Sequence, residues 1–344
     1  MFENFWGNPR VTAALENMIA RERIPQTMLF AGPEGVGKAT LARRFGARLL
    51  GSPEKIEQDD LSLPRNIDAI QSREKLPAEK RNDDPLLFST HPDFVTFAPD
   101  GPLRQISIPQ MRLLKERAPF TPLRGERRVF LIDQVDRANE QAANSLLKTL
   151  EEPPPHLILI LTAANAYDLL PTIRSRAVPF HFTPLGDDEM RRFAEIRGVD
   201  HSGRRIALSA GSPGVALSLD LEVYDRRRAA MLALLEVATR SAPFSVWMKH
   251  SEYISRSKNE KLDFYLKILY GLLRDMFIVA EHGGAIRNQD IRPQLEALAK
   301  KVTYPWLRAA VQQVDELTEF VRRNIQKTLA LDSFIVGAPQ AMLK

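Results

Sequence analysis

Two rhythms of apolar residues divide this chain. Up to about residue 183 they come as short, nearly unbroken runs, at 27–31, 94–97, 129–132, 157–161 and 177–182. Runs of this length, bounded by Gly, Pro or charged positions, predict strands buried on both faces. Helical spacing lies between them. Leu41 and Phe45 follow Lys38 four apart, and Met111, Leu113 and Leu114 follow Pro109, which suits the first turn of a helix. Ala142, Leu146, Leu147 and Leu150 keep the spacing until Pro153-Pro154-Pro155 stops it. Strands alternating with helices predict an α/β domain whose parallel sheet is covered on both faces. From Asp187 onward the rhythm is helical, broken at Gly211-Ser212-Pro213-Gly214 and at His282-Gly283-Gly284. The expected division is an α/β domain over 1–183, a small helical domain over 184–222 and a larger all-α domain over 223–344. Residues 52–85 depart from both rhythms. They are rich in Asp, Glu, Lys, Arg and Pro, and they predict a polar insertion, part helical and part mobile, that adds little to the core. No internal repeat is visible.

Composition changes this picture little. The hydrophobic fraction of 44% and charged fraction of 26% are those of an ordinary globular chain. No apolar run reaches the roughly 18 residues of a membrane span, and the first residues, Met1-Phe2-Glu3-Asn4-Phe5-Trp6, lack a secretory pattern. There is no cysteine, which excludes disulfides and thiolate metal sites. A cytoplasmic location is the expectation from these absences. The net charge is +5, and the same net charge is concentrated between Arg104 and Arg128, where seven Lys/Arg face two Asp/Glu. Such a segment fits either a solvated helix face or a phosphate contact. Arg112 and Lys115, at helical spacing within it, are the DNA-contact candidates.

One stretch carries specific chemistry. Gly32-Pro33-Glu34-Gly35-Val36-Gly37-Lys38 has the spacing G-x-x-x-x-G-K, between a predicted strand and a predicted helix. In that context Gly32, Gly35 and Gly37 shape a nest of backbone N–H groups, and Lys38 reaches terminal phosphates. The next residue should carry the hydroxyl that binds Mg²⁺, yet it is Ala39, and Thr40 stands about 100° further round the helix. The buried run 129–132 ends at Asp133, a residue able to hold the metal's water shell, followed by Gln134. A neutral amide cannot take a proton from water, and losing a general base typically costs about 10²- to 10⁴-fold in rate. Hydrolysis by this site is therefore not expected, and ATP or ADP would bind weakly if at all.

Longer blocks resemble a family. Asn144-Ser145-Leu146-Leu147-Lys148-Thr149-Leu150-Glu151-Glu152-Pro153-Pro154 is similar to the N-x-L-L-K-x-L-E-E-P-P text of AAA+ clamp-loader subunits. Thr90-His91-Pro92-Asp93, residues 121–128 and Ile173-Arg174-Ser175-Arg176-Ala177 resemble the same family, the last its S-R-C motif. The likeness covers nearly all of residues 1–220, thins beyond, and returns at Arg323-Asn324 and Leu329-Ala330-Leu331-Asp332. It implies a AAA+ domain, a helical lid and a helical collar. It implies a hetero-oligomer with gamma/tau and delta subunits that places a sliding clamp on primed DNA. It also implies that Arg176 acts in trans as an arginine finger and that Thr162 occupies the first sensor position. Gly214 stands where ATP-hydrolysing members carry a lid arginine. With Ala39 and Gln134, this departure fits the delta-prime branch of the family, and a working ATPase of gamma/tau type is the alternative. The family's zinc module after the phosphate loop has no ligand set here, so no zinc is expected. His91 reads as structural, and the aromatics Phe264, Tyr265, Tyr270, Phe277, Trp306 and Phe320 read as core or subunit contact.

Overall fold

The structure is a computed structural model that describes residues 2, 4–257, 260–321, 326–338 and 343, with only the backbone of 319–321. Arg323 and Asn324, and the side chain of Phe320, lie outside the described residues. The chain forms two compact units, the first comprising Met1–Gly198 with Gly211–Val215, the second Val199–Ala210 with Ala216–Lys344.

In the first unit, strands β1 (Thr27–Ala31), β2 (Phe94–Phe97), β3 (Arg128–Ile132), β4 (Leu157–Ala163) and β5 (Val178–His181) make one sheet, in the order β2-β3-β4-β1-β5. All pairings are parallel, with Met28 opposite Ile160 and Val178, and Leu131 opposite Thr96 and Ile160. Each strand falls on a run that the apolar pattern marks. Because side chains alternate along a strand, Leu29, Phe130, Leu159 and Leu161 pack toward one layer of helices. Met28, Phe30, Leu131 and Ile160 pack toward the other. Helices α1 (Pro9–Ala20) and α2 (Lys38–Leu50) supply the second layer through Val11, Leu15, Leu41 and Phe45.

Three helices occupy the polar insertion: α3 (Pro53–Glu57), α4 (Pro64–Glu74) and α5 (Ala78–Asp83). The expectation that this segment adds little to the core is corrected here. Ile56 is fully buried in the α1/α2 layer, and Ile70 packs with Leu86 and Ala98. Ion pairs lock the helices down. Arg43, 1% exposed on α2, pairs with Glu57 and Asp60. Arg73 pairs with Asp100 at 2.8 Å, and the buried Asp59 carboxylate accepts the N–H and hydroxyl of Thr90. The segment is polar because its surface is charged, while one apolar residue per helix is enough to seat α3 and α4 on the domain.

The other layer is built from α6 (Ile108–Arg117), α7 (Glu140–Glu151) and the short α8 (Pro171–Arg174). Ser107 caps α6 in a reciprocal box with Gln110. Two of the sequence blocks meet at one carboxylate. Buried Asp93 accepts the backbone N–H groups of Leu123 and Arg124 at 2.8 and 2.7 Å and faces Arg128 Nε at 3.7 Å. His91 is structural, as expected: its Nδ1 accepts the N–H of Asp93, and burial pushes its pKa down. Helix α9 (Asp187–Arg197) closes the continuous part of this unit.

After α10 (Ser202–Ser209) and α11 (Pro213–Ser218), the second unit is built from α12 (Leu221–Ala238), α13 (Phe244–Arg256), α14 (Leu262–Ala280), α15 (Arg292–Ala299), α16 (Tyr304–Val321) and α17 (Lys327–Gly337). Its core gathers Leu234, Trp247, Leu269, Leu272, Met276, Trp306, Leu331 and Phe334. Tyr265 and Trp306 are core, as expected, whereas Tyr270 and Phe277 are exposed. Buried Asp275 satisfies the backbone N–H groups of Arg287 and Asn288. Among the described residues no helix is long and apolar enough to cross a membrane.

Candidate functional site

The strand order places the carboxyl ends of β1, β3 and β4 side by side, at the position where the order reverses and where α/β sheets present their ligand sites. Beyond β1 the chain enters the phosphate loop and then α2, which begins at Lys38. Gly35 and Gly37 adopt positive φ of 78° and 96°, conformations that a side chain would strain. The sequence context for a phosphate nest is thus present in three dimensions.

What surrounds the loop departs from the expectation of an open nest. The Gly214 N–H donates to the Gly35 carbonyl at 2.8 Å, and a Cβ on Gly214 would stand 3.0 Å from that oxygen. Val215 packs on Gly35, and the Phe5 ring lies against Gly37, where an added Cβ would meet it at 2.8 Å. Lys38 Nζ donates to the carbonyls of Gly32 and Pro33 at 2.5 and 2.7 Å. Burial pushes the Lys38 pKa down, against the opposing pull of Asp133, Asp136 and Glu34. The loop therefore has its own chain packed on it at Gly35 and Gly37.

Asp133, Gln134 and Thr162 form one cluster. The Thr162 hydroxyl donates to Asp133 Oδ1 at 2.6 Å and accepts the Gln134 N–H at 2.9 Å, and Gln134 Nε2 reaches Asp133 Oδ2 at 3.4 Å. Thr162 thus uses its hydroxyl to tie the end of β4 to the end of β3. Ala39 has no hydroxyl, and Thr40 lies in the same first turn of α2. Among the described residues no group of three or more His, Asp or Glu is arranged to hold a metal ion.

Asp136 was missed by the sequence reasoning. It follows Gln134 by two positions and brings a carboxylate into the field of Lys38. Its Oδ2 accepts the Ala164 N–H at 3.1 Å, while Oδ1 is buried with no hydrogen bond. Burial raises its pKa above the usual carboxylate range. The only available signal was its distance of three residues from Asp133, which carries no pattern by itself.

Two other sets of candidates stand apart from this cluster. Arg112 and Lys115 are exposed one turn apart on α6, in the helical layer across the sheet from α2. Arg176 follows α8 and leads into β5, the edge strand of the sheet. Its guanidinium donates to the Thr172 carbonyl at 2.9 Å and to Glu151 at 2.7 Å, with 34% of the side chain exposed. Glu151 ends α7, so the E-E-P-P block and the S-R block meet at this ion pair.

Comparison with known proteins follows the same lines. The family described as DNA polymerase III, delta subunit, matches over residues 7–186. The delta' subunit of DNA polymerase III from Pseudomonas aeruginosa is 26% identical over 323 residues, 90% of each chain. That of Bacillus subtilis is 30% identical over 235 residues, 67% of this chain and 64% of the relative. The Escherichia coli DNA polymerase III subunit tau is 29% identical over 251 residues, 68% of this chain but 36% of the relative. The chain spans little more than a third of that longer protein.

Proposed function

The chain belongs to the DNA polymerase III delta-subunit family of clamp-loader proteins, and from that premise we propose that it organises a clamp loader and hydrolyses little or no ATP itself. In this reading its partners are gamma/tau- and delta-type subunits, the sliding clamp and primed DNA. Residues 184–222 act as the lid and 223–344 as the collar. Arg176 is the residue that acts on chemistry, and it acts on the nucleotide of a neighbouring subunit.

One contrast carries the reading. Arg176 is exposed and braced on the sheet edge, while the chain's own phosphate loop has Gly214, Val215 and Phe5 packed on it. A guanidinium suits work in trans because it is always charged and forks onto phosphate oxygens, where lysine offers a single point charge. Glu151 is an exposed partner, and such pairs hold by about 0–1 kcal/mol. A phosphate can therefore displace it at little cost. The missing Mg²⁺ hydroxyl at Ala39 and the amide at Gln134 support the absence of local hydrolysis.

The test uses the assembly reconstituted with gamma/tau and delta partners. Arg176→Ala should assemble normally and lower clamp- and DNA-stimulated turnover at the affected interface by about 10³-fold or more. Arg176→Lys should recover little of it. An Ala variant that assembles and turns over at the parent rate ends this reading. The isolated chain should show no turnover near 1 s⁻¹, the low end of ordinary enzymes, that disappears with Lys38→Ala.

A further inference from the structure

The exposed stripe of α14 is unusual in composition. Lys267, Tyr270, Arg274 and Phe277 recur at three- and four-residue spacing, so they share one face of the helix. Tyr270 is 48% exposed and Phe277 40%. On α16, Tyr304 is 60% exposed, and exposed Arg308 stands one turn after it. The rings of Phe277 and Tyr304 meet at a centroid distance of 6.0 Å, which joins the two stripes into one surface. Exposed rings gathered on one face of a helical unit call for a ligand.

Charge indicates which ligand. Residues 300–312 contain Lys300, Lys301 and Arg308 and no acidic residue. Residues 267–277 contain Lys267 and Arg274, and their one acid, Asp275, is fully buried and committed to the N–H groups of Arg287 and Asn288. Arg274 is held by Asp275 at 2.9 Å with 36% of its side chain exposed. Arg287 lies close enough that, after burial, Arg274 is the largest influence pushing its pKa down. The exposed apolar groups of the α14/α16 stripes are planar rings, with Val311 half-buried beside them. A docking helix from another protein would meet cations across the middle of this surface, with the exposed acids Glu281 one turn after Phe277 and Asp315 one turn after Val311 at its margins, and few aliphatic side chains to interdigitate with. Planar rings set among fixed cations instead match the way single-stranded nucleic acid is held, with bases stacked on aromatics and phosphates on Arg and Lys.

We propose that the face formed by Tyr270, Arg274 and Phe277 of α14 with Tyr304 and Arg308 of α16 binds single-stranded nucleic acid. Tyr304 and Tyr270 stack bases, Phe277 supports the Tyr304 ring, and Arg274, Arg308 and Lys301 take the phosphates. Tyr270 and Phe277 are about 10 Å apart along the helix axis, the reach of a few nucleotides. This face serves strand binding whether or not Arg176 acts in trans.

The experiment is fluorescence anisotropy of the full chain with a labelled oligothymidylate across a salt series. Affinity should fall with salt, with a log–log slope near −2 for about three phosphates at roughly −0.7 each. Tyr304→Ala and Tyr270→Ala should each weaken binding about tenfold, and Tyr304→Phe should retain it. Arg308→Ala should make the slope shallower by about 0.7. Arg192→Ala, an exposed position on α9 in the other unit, should leave this binding unchanged. All positions are exposed, so the melting temperature should stay at the parent value and unfolding cannot explain a loss. Three results overturn the proposal: no binding at low salt, unchanged affinity in the tyrosine variants, or variants that bind the oligonucleotide normally but fail to assemble with partner subunits. The last would make the face a protein interface.

Discussion

At the scale of single residues, the cluster around Lys38 is governed by desolvation. Burial pushes Lys38 down and Asp136 up, so both resist charging. A carboxyl with a raised folded-state pKa holds its proton more tightly when folded. Its stabilising contribution is present below the unfolded value and is lost as pH rises through the folded one. Asp136→Asn removes the charge and keeps an acceptor for the Ala164 N–H. The variant should melt higher than the parent at pH 7.5, and the gap should close near pH 4, about the ordinary aspartate value. Calorimetry across pH measures this. A variant that melts lower at pH 7.5 would mean that attraction to Lys38 outweighs burial.

At the scale of elements, the insertion α3–α5 is the informative case. Its helices are short and polar, and isolated helices of that length are marginal in water. They persist because Ile56 enters the α1/α2 layer, because Arg43 of α2 holds the Glu57 carboxylate, and because Arg73 of α4 pairs with Asp100 of the domain. Ile56→Ala should cost about 2–5 kcal/mol in urea unfolding, the usual range for truncating a buried isoleucine. Deleting residues 54–84 should lower the melting temperature rather than leave it unchanged. A deletion variant as stable as the parent would show that Ile56 and Arg43 contribute nothing net.

At the scale of the whole molecule, residues remote in sequence converge on one loop. Phe5, Gly35, Gly37, Gly214 and Val215 meet although they span 210 positions. Restoring the missing chemistry alone should therefore not restore activity. The double variant Ala39→Thr with Gln134→Glu should still show no turnover near 1 s⁻¹. Phe5→Ala should raise nucleotide affinity by uncovering Gly37, as read by calorimetry with and without Mg²⁺. Turnover in the double variant would show that the packed loop yields readily to ATP, and unchanged affinity in Phe5→Ala would show that the ring is no barrier.

The five strands, the glycine loop and the losses at Ala39 and Gln134 were legible from the chain alone. Each depends on local properties: an unbroken apolar run, a spacing of glycines, the presence of a hydroxyl or a carboxylate. The helix breaks near Gly-Ser-Pro-Gly and His-Gly-Gly were legible for the same reason, since glycine and proline interrupt helices wherever they fall. Tertiary structure alone decided the rest. Asp136 became part of the site because the turn after β3 brings its carboxylate toward Lys38, and no spacing encodes that approach. The insertion proved to be packed because burial depends on partners such as Arg43, which is polar by type yet almost wholly enclosed. Tyr270 and Phe277 read as core or contact by composition, and only the packing of α14 against α16 turned them outward beside Tyr304. Local sequence determines which backbone conformations and which chemistries are possible. Which side chains lose their water, and which charges then face one another, depends on contacts between segments far apart in the chain, and those appear only once the layers are assembled.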